Sequence, residues 1–268
     1  MKQAFPVSQP IEATVRFPAG LCLVTTAEEG VTVRAEPFDP GRKEDAEAAE
    51  ALTVECDGRQ LKITAKKKLL GKVTGLGVGR LRLSISLPAE SSLTLDTDSA
   101  GIEVSDNALA DLRVNTGSGP VSVDYLSRGL RVDASDSRVH AGQVDGDVSV
   151  DNGSGQVEIE VANGRVKVGG SSGDLTIGSA TGSVQFSSAS GNLAIATASG
   201  TAVKAKTSSG KISVGVPAGI GVRPKLKTAG GARTGALAAG TEPAPGNHSL
   251  QIEVDTASGD IDIHPAVR

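Results

Sequence analysis

Aromatic side chains are almost missing from this chain: no tryptophan, one tyrosine and four phenylalanines among 268 residues. That scarcity excludes a wide core built on rings and the stacking platforms on which a sugar-binding cleft depends. Cysteine is equally sparse. Cys22 and Cys56 are too few for a disulfide framework, and both sit in apolar, strand-like stretches where free buried thiols are expected. No apolar run reaches the length of a membrane helix, so no transmembrane segment is expected. The opening MKQAFPVSQPIEATVRF has no apolar leader region, which points to a cytoplasmic location. A net charge of −4 gives no basic surplus for nucleic acid, so none is expected as a partner.

What the chain does contain is a repeat. The unit small-Ser-Gly-x-apolar-x-apolar returns as GSGPVSV (117–123), GSGQVEI (153–159), SSGDLTI (171–177), ASGNLAI (189–195) and SSGKISV (208–214). DSAGIEV (98–104) and SDSRVHA (135–141) keep the frame with Ala100 and Ser137 in the glycine slot. The first apolar positions, from Ile102 through Val121, Val139, Val157, Leu175 and Leu193 to Ile212, are spaced 18 or 19 apart. A second series, Leu112, Leu130, Val148, Val166, Val184 and Val203, keeps the same period. Alternation at period two is the strand signal, and a constant spacing near twenty is the solenoid signal. The spacing predicts a mostly β fold: a single-stranded β-helix or solenoid of 18-residue turns, each with two short strands, A and B. A sandwich of hairpins requires no constant period. One corner of each turn carries apolar residues (Ala108, Leu126, Val144, Ala162), and the other carries Gly, Ser or Ala.

Along the chain, residues 1–97 read as an irregular β section, 98–216 as the regular turns, and 217–268 as further strands, all within one continuous domain. Strands are predicted at 11–17, 21–26, 31–35, 52–56, 60–65, 80–88, 93–97, 221–226 and 249–256. One short helix, about 40–51, follows Asp39-Pro40 and caps the end of the coil. Residues 66–80 form a basic, glycine-rich loop, and 228–246 a mobile Gly/Ala/Pro-rich one. ASGDIDI (257–263) is a last copy of the unit.

The segment DPGRKEDAEAAEALTVECDGRQLKI (39–63), the string of SG-x-apolar-x-apolar units and the terminal ASGDIDIHP together resemble a bacterial β-strand-repeat family of unknown function whose members carry the name adhesin. The resemblance spans nearly the whole chain. It implies a β-solenoid-like fold and brings no established activity and no site residues.

Chemistry-bearing clusters are thin. Asp174 and Asp260 follow the repeat glycine, but calcium-binding rolls need an Asp in every turn, and here the slot holds Pro120, Arg138, Gln156 and Lys211 elsewhere. Gly75, Gly77 and Gly79 have neither phosphate-loop spacing nor a following helix, so no cofactor is expected. His140, His248 and His264 lack a nucleophile and an orienting acid, although His140 and Glu158 share a slot in successive turns. Metal and catalytic sites are therefore expected to be none, and no small-molecule substrate is evident. Glu103, Asp124, Glu158 and Glu160 share a face, but without aromatics they make a poor polysaccharide site. The outward slots suggest contact instead. On strand B they hold Arg113, Arg131, Lys167 and Lys204; on strand A, Glu103 and Glu158. Arg113 and Arg131 would stack and need local acids such as Asp111, Asp133 and Asp151. Between Val168 and Val203 the only charge is Asp174, which leaves a flat uncharged surface. The expected function is a non-enzymatic scaffold or protein-interaction module with a protein partner or self-association. A carbohydrate-active β-helix enzyme and an exported surface adhesin are the alternatives.

Overall fold

The computed structural model describes residues 1–65, 79–105, 109–237 and 239–266. Contacts divide the chain into two compact units, Met1–Ser137 and Arg138–Arg268. The Lys66–Lys68 run, Gly75, Gly77 and Ala108 lie outside the described residues.

In the second unit the predicted period becomes hydrogen bonding. Strand A recurs as β12 (Val139–Val144), β14 (Gln156–Ala162), β16 (Asp174–Ala180), β18 (Leu193–Ala198) and β20 (Ile212–Val216), all parallel. Val139 pairs with Val157, Val157 with Leu175, Leu175 with Leu193, and Leu193 with Ile212. Strand B recurs as β13 (Val148–Ser154), β15 (Val166–Gly169), β17 (Val184–Ser187) and β19 (Ala202–Thr207), with Val148, Val166, Val184 and Val203 in register. A one-residue slip would turn each buried face outward, so the apolar pattern fixes the pairing. These aliphatics are nearly fully buried, each worth about 1.5–3 kcal/mol. Phe186 fits inside because its neighbours in the stack are only Val168 and Ala205.

The corners explain the glycines. A Cβ on Gly191 would lie 1.9 Å from the Gly173 carbonyl oxygen, and one on Gly210 would lie 1.7 Å from that of Gly191. Neither has a positive φ; the next turn simply passes too close. A hydroxyl completes each corner: Ser188 Oγ accepts the Gly191 N–H, Thr207 Oγ1 that of Gly210, and Thr256 Oγ1 that of Gly259. The opposite corner holds a second glycine series, Gly164, Gly182 and Gly200, equally crowded, with Gly164 against the Gly146 carbonyl. It lies beside the apolar corner residues and was not anticipated.

After Val216 the layers no longer follow chain order. β21 (Gly221–Thr228) and β22 (Arg233–Thr234) form the outermost turn. β23 (Ser249–Thr256) then inserts between β19 and β21, and β24 (Ile261–Pro265) between β20 and β22. Gly259 accordingly sits between Gly210 and Gly231 in the ladder. The segment expected to be a loop from 228 thus begins with a repeat turn, Thr228–Thr234, whose Thr228 Oγ1 accepts the Gly231 N–H.

The first unit shows the same device at its own end. β2 (Glu12–Arg16) inserts between β6 (Gln60–Ala65) and β8 (Ser91–Thr97). β3 (Ala19–Ala27) inserts between β7 (Leu81–Pro88) and β9 (Ser99–Val104). β8 continues to β10 (Leu109–Ser118) and then β11 (Val121–Asp136), whose first residues pair with β9. Antiparallel strands finish the edge: β5 (Leu52–Asp57) on β6, and β4 (Val31–Pro37) with β1 (Lys2–Phe5) on β7. Helix α1 (Lys43–Glu50) starts three residues after Pro40, not at it. It packs on β4 and β7 through Ala48, Ala49 and a buried Asp45, whose carboxylate accepts the N–H groups of Asp39 (3.0 Å) and Arg80 (2.8 Å). Gly79 is where the helix crosses: a Cβ there would lie 2.2 Å from the Glu44 carbonyl oxygen.

Candidate interaction surface

The six outward residues divide between the two units. Arg113, Arg131 and Glu103 belong to the first unit; Lys167, Lys204 and Glu158 belong to the second. Arg113 and Arg131 are direct register partners on β10 and β11. Arg131 Nε reaches Asp133 Oδ2 at 3.1 Å, whereas Asp111 pairs with Arg128 instead of Arg113. Arg113 faces Asp96. Burial raises the Asp96 carboxyl, but hydrogen bonds from Asn115 and Arg16 and the charges of Arg16 and Arg113 outweigh it and lower its pKa. The arginine stack is therefore locally compensated. Glu103 is exposed on β9, beside Ser122 and Leu23.

In the second unit Lys167 lies between Ser149 and Gln185. Lys204 is different, because the inserted β23 brings new neighbours. Lys204, Glu253 and Lys225 are in register on β19, β23 and β21, and so are Lys206, Asp255 and Lys227. Lys225 Nζ donates to Glu253 Oε1 at 2.7 Å, while Lys204 Nζ lies 3.9 Å from Oε2. That hydrogen bond holds the Glu253 carboxyl below its usual range and raises the Lys225 ammonium. With Arg223, this strand-B face carries five cations around two carboxylates. A cleft of about 210 Å³ opens among Lys204, Lys206, Lys225, Lys227, Glu253 and Asp255. Lys225 and Glu253 were missed because their stacking partners are not 18 residues away.

Among the described residues β23 is the one named strand that pairs with β21, whose start also makes an isolated bridge, Val222 to Thr241. Arg223, Lys225 and Lys227 are exposed along it, and Pro224 offers no N–H. Cations and proline on an edge strand discourage edge-to-edge pairing.

The strand-A face carries the opposite sign at one place. Glu158 and Glu160 both point outward from β14, and His140 on β12 approaches them at 3.8 and 3.7 Å. Beyond them the outward positions are small: Thr176 and Gly178, then Ala194 and Ala196.

The slot after the repeat glycine is not a free surface position. Asp174 Oδ1 accepts the Asn192 N–H at 2.8 Å, Asn192 Oδ1 accepts that of Lys211, and Asp260 Oδ1 accepts that of Ala232. These side chains cap amide groups of the next turn, which accounts for the aspartates without calcium. Among the described residues no group of three His, Cys, Asp or Glu side chains is placed to hold a metal. His248 Nε2 lies 3.1 and 3.0 Å from the carbonyl oxygens of Ser199 and Gly200, over the glycine corner. His264 Nε2 meets Ser213 Oγ at 3.2 Å. Both cysteines are free; burial pushes the Cys22 thiol up to about 12. Among the described residues no helix is long and apolar enough to cross a membrane.

The solved structures that the chain matches have low identity to it. A Clostridium sporogenes protein named a cell adhesion protein is 13% identical, with 99% of each chain covered and a TM-score of 0.36. A Parabacteroides distasonis protein named a lipid binding protein is 17% identical, covering 98% of this chain and 96% of its own, at 0.49. An adhesin-named Bacteroides fragilis protein is 11% identical over 98% and 96%, at 0.38. No curated protein matches the chain. A family model does, over residues 24–264, nearly the whole of the repeat just described, and the chain belongs to the Toastrack DUF4097 family.

Proposed function

We propose that the chain is a non-enzymatic interaction scaffold that presents charged ladders on stiff strand faces to another protein surface. The observation that carries this reading is the strand-B face of the Arg138–Arg268 unit, where Lys204–Glu253–Lys225 and Lys206–Asp255–Lys227 stand in register. Backbone already ordered by strand pairing loses little further freedom on docking. The alternation of sign also favours a protein. A protein can set carboxylates against the lysines and a cation against Glu253 or Asp255. A nucleic acid or an anionic membrane offers one sign only and meets those carboxylates as repulsion.

Site-specific photo-crosslinking in the producing cell tests the reading. A photoreactive residue replaces Lys167, Gln185 or Thr176 on the strand faces, or Ser190 at a corner, in the full chain. Adducts of discrete mass are expected from the face positions and not from the corner. No adduct at any face position, or turnover of a polysaccharide by the purified chain, would contradict it.

A further inference from the structure

Two exposed patches of opposite sign lie on the two outward faces of the Arg138–Arg268 unit, and their geometries match. On strand A, Glu158 and Glu160 stand two residues apart on β14, with side chains 52% and 64% exposed. On strand B, Lys225 and Lys227 stand two residues apart on β21, as do Lys204 and Lys206 on β19. Residues two apart along a strand are separated by about 6.6 Å, so a carboxylate pair meets an ammonium pair whichever way the strands run. The next layer fits as well. Beside β14 lies β12 with His140, and beside β21 lies β23 with Glu253 and Asp255. Both sheets repeat at ~4.8 Å, so the orientation of β14 over β21 that puts β12 on the β23 side sets the imidazole against two carboxylates.

We infer that a second copy of this chain is a partner: the Glu158/Glu160 face of one copy docks on the Lys225/Lys227 face of the next. The inference rests on the interaction-scaffold reading and names its occupant. The two patches differ, so the contact is heterologous. Each docked pair leaves one patch of each kind free, and the assembly grows head to tail. β21 contributes its face and not its edge, consistent with Pro224 and the cations that blunt that edge. Exposed ion pairs are individually weak and screened by salt, so association belongs to low ionic strength and high protein concentration.

Sedimentation equilibrium tests it with the full chain, Glu158→Lys/Glu160→Lys and Lys225→Glu/Lys227→Glu, each first shown to be folded by circular dichroism. The wild-type mass is expected to at least double with concentration at low salt. It should return to one chain at about 1 M salt, where the Debye length falls to ~3 Å. Each variant alone is expected to remain a single chain, because one of its two patches is reversed. An equimolar mixture should associate again, since the intact face of one variant meets the intact face of the other. A wild type that stays a single chain at low salt, variants that associate like the wild type, or a mixture that does not regain association would each overturn the inference. None of these results touches the scaffold reading, which crosslinking to a different protein would still support.

Discussion

Replacing Gly191 by alanine should destabilise the protein although the residue lies at a corner with an ordinary φ. The added Cβ would stand 1.9 Å from the Gly173 carbonyl oxygen, about 1.1 Å inside the 3.0 Å below which Cβ contacts are essentially never found. The turns cannot simply part. The Ala189 N–H is bonded to the Ser171 carbonyl at 3.0 Å, and the Asn192 N–H to Asp174 Oδ1 at 2.8 Å, on either side of the clash. Overpacking of this kind costs about 1–3 kcal/mol. Alanine offsets it by about 0.4–1 kcal/mol, because the unfolded chain loses freedom. A net loss of about 1–2 kcal/mol lowers Tm by roughly 2–8 °C for a chain of this size. Gly169→Ala is the control, because nothing lies within 4 Å of a Cβ there. It should be neutral or stabilising by up to about 1 kcal/mol. Urea unfolding followed by circular dichroism reads both. If the two variants agree within about 0.5 kcal/mol, the close-approach explanation of the repeat glycine is wrong.

Ile261→Ala, near the chain terminus, should cost about 2–5 kcal/mol in urea unfolding because the side chain is fully buried on an inserted strand; a frayed terminus would give almost nothing. The Cys22 thiol is raised from 9.0 to about 12, so the fold favours its neutral form. That contribution is whole below pH 9 and is lost as pH rises toward 12. The urea midpoint should therefore fall above pH 9, and Cys22→Ala should flatten the fall; an unchanged pH dependence would refute it.

The period was legible because in-register parallel stacking demands equal spacing. Val157, Leu175 and Leu193 could not be stacked otherwise without turning a polar face inward. The same logic placed Lys204 and Glu158 outward and brought His140 to Glu158. It failed where stacking leaves chain order. Ile212 pairs with Ile261 across 49 residues, and no period of 18 announces that. TAGGART (228–234) escaped because the template demanded SG followed by alternating aliphatics. Ser or Thr three residues before the glycine, the pattern of Ser188, Thr207 and Thr256, would have found it. Glu253 and Lys225 were missed for the same reason, and with them the charged ladder. The capping role of the aspartates after the glycine was not legible, because a sequence does not show which amides a tight corner leaves unbonded.

The ladder, and the function drawn from it, stand on the insertion of β23 between β19 and β21. Paired cysteines test this directly. With Cys56 replaced by serine, three variants carry Lys204→Cys/Glu253→Cys, Glu253→Cys/Lys225→Cys or Lys204→Cys/Lys225→Cys. Adjacent parallel strands place Cα atoms ~4.8 Å apart, within disulfide reach, and strands two layers apart lie near 10 Å, beyond it. The account predicts oxidation to an intramolecular disulfide in the first two variants and free thiols in the third. A disulfide between positions 204 and 225, with none to 253, would mean that the turns stack in chain order and would contradict it.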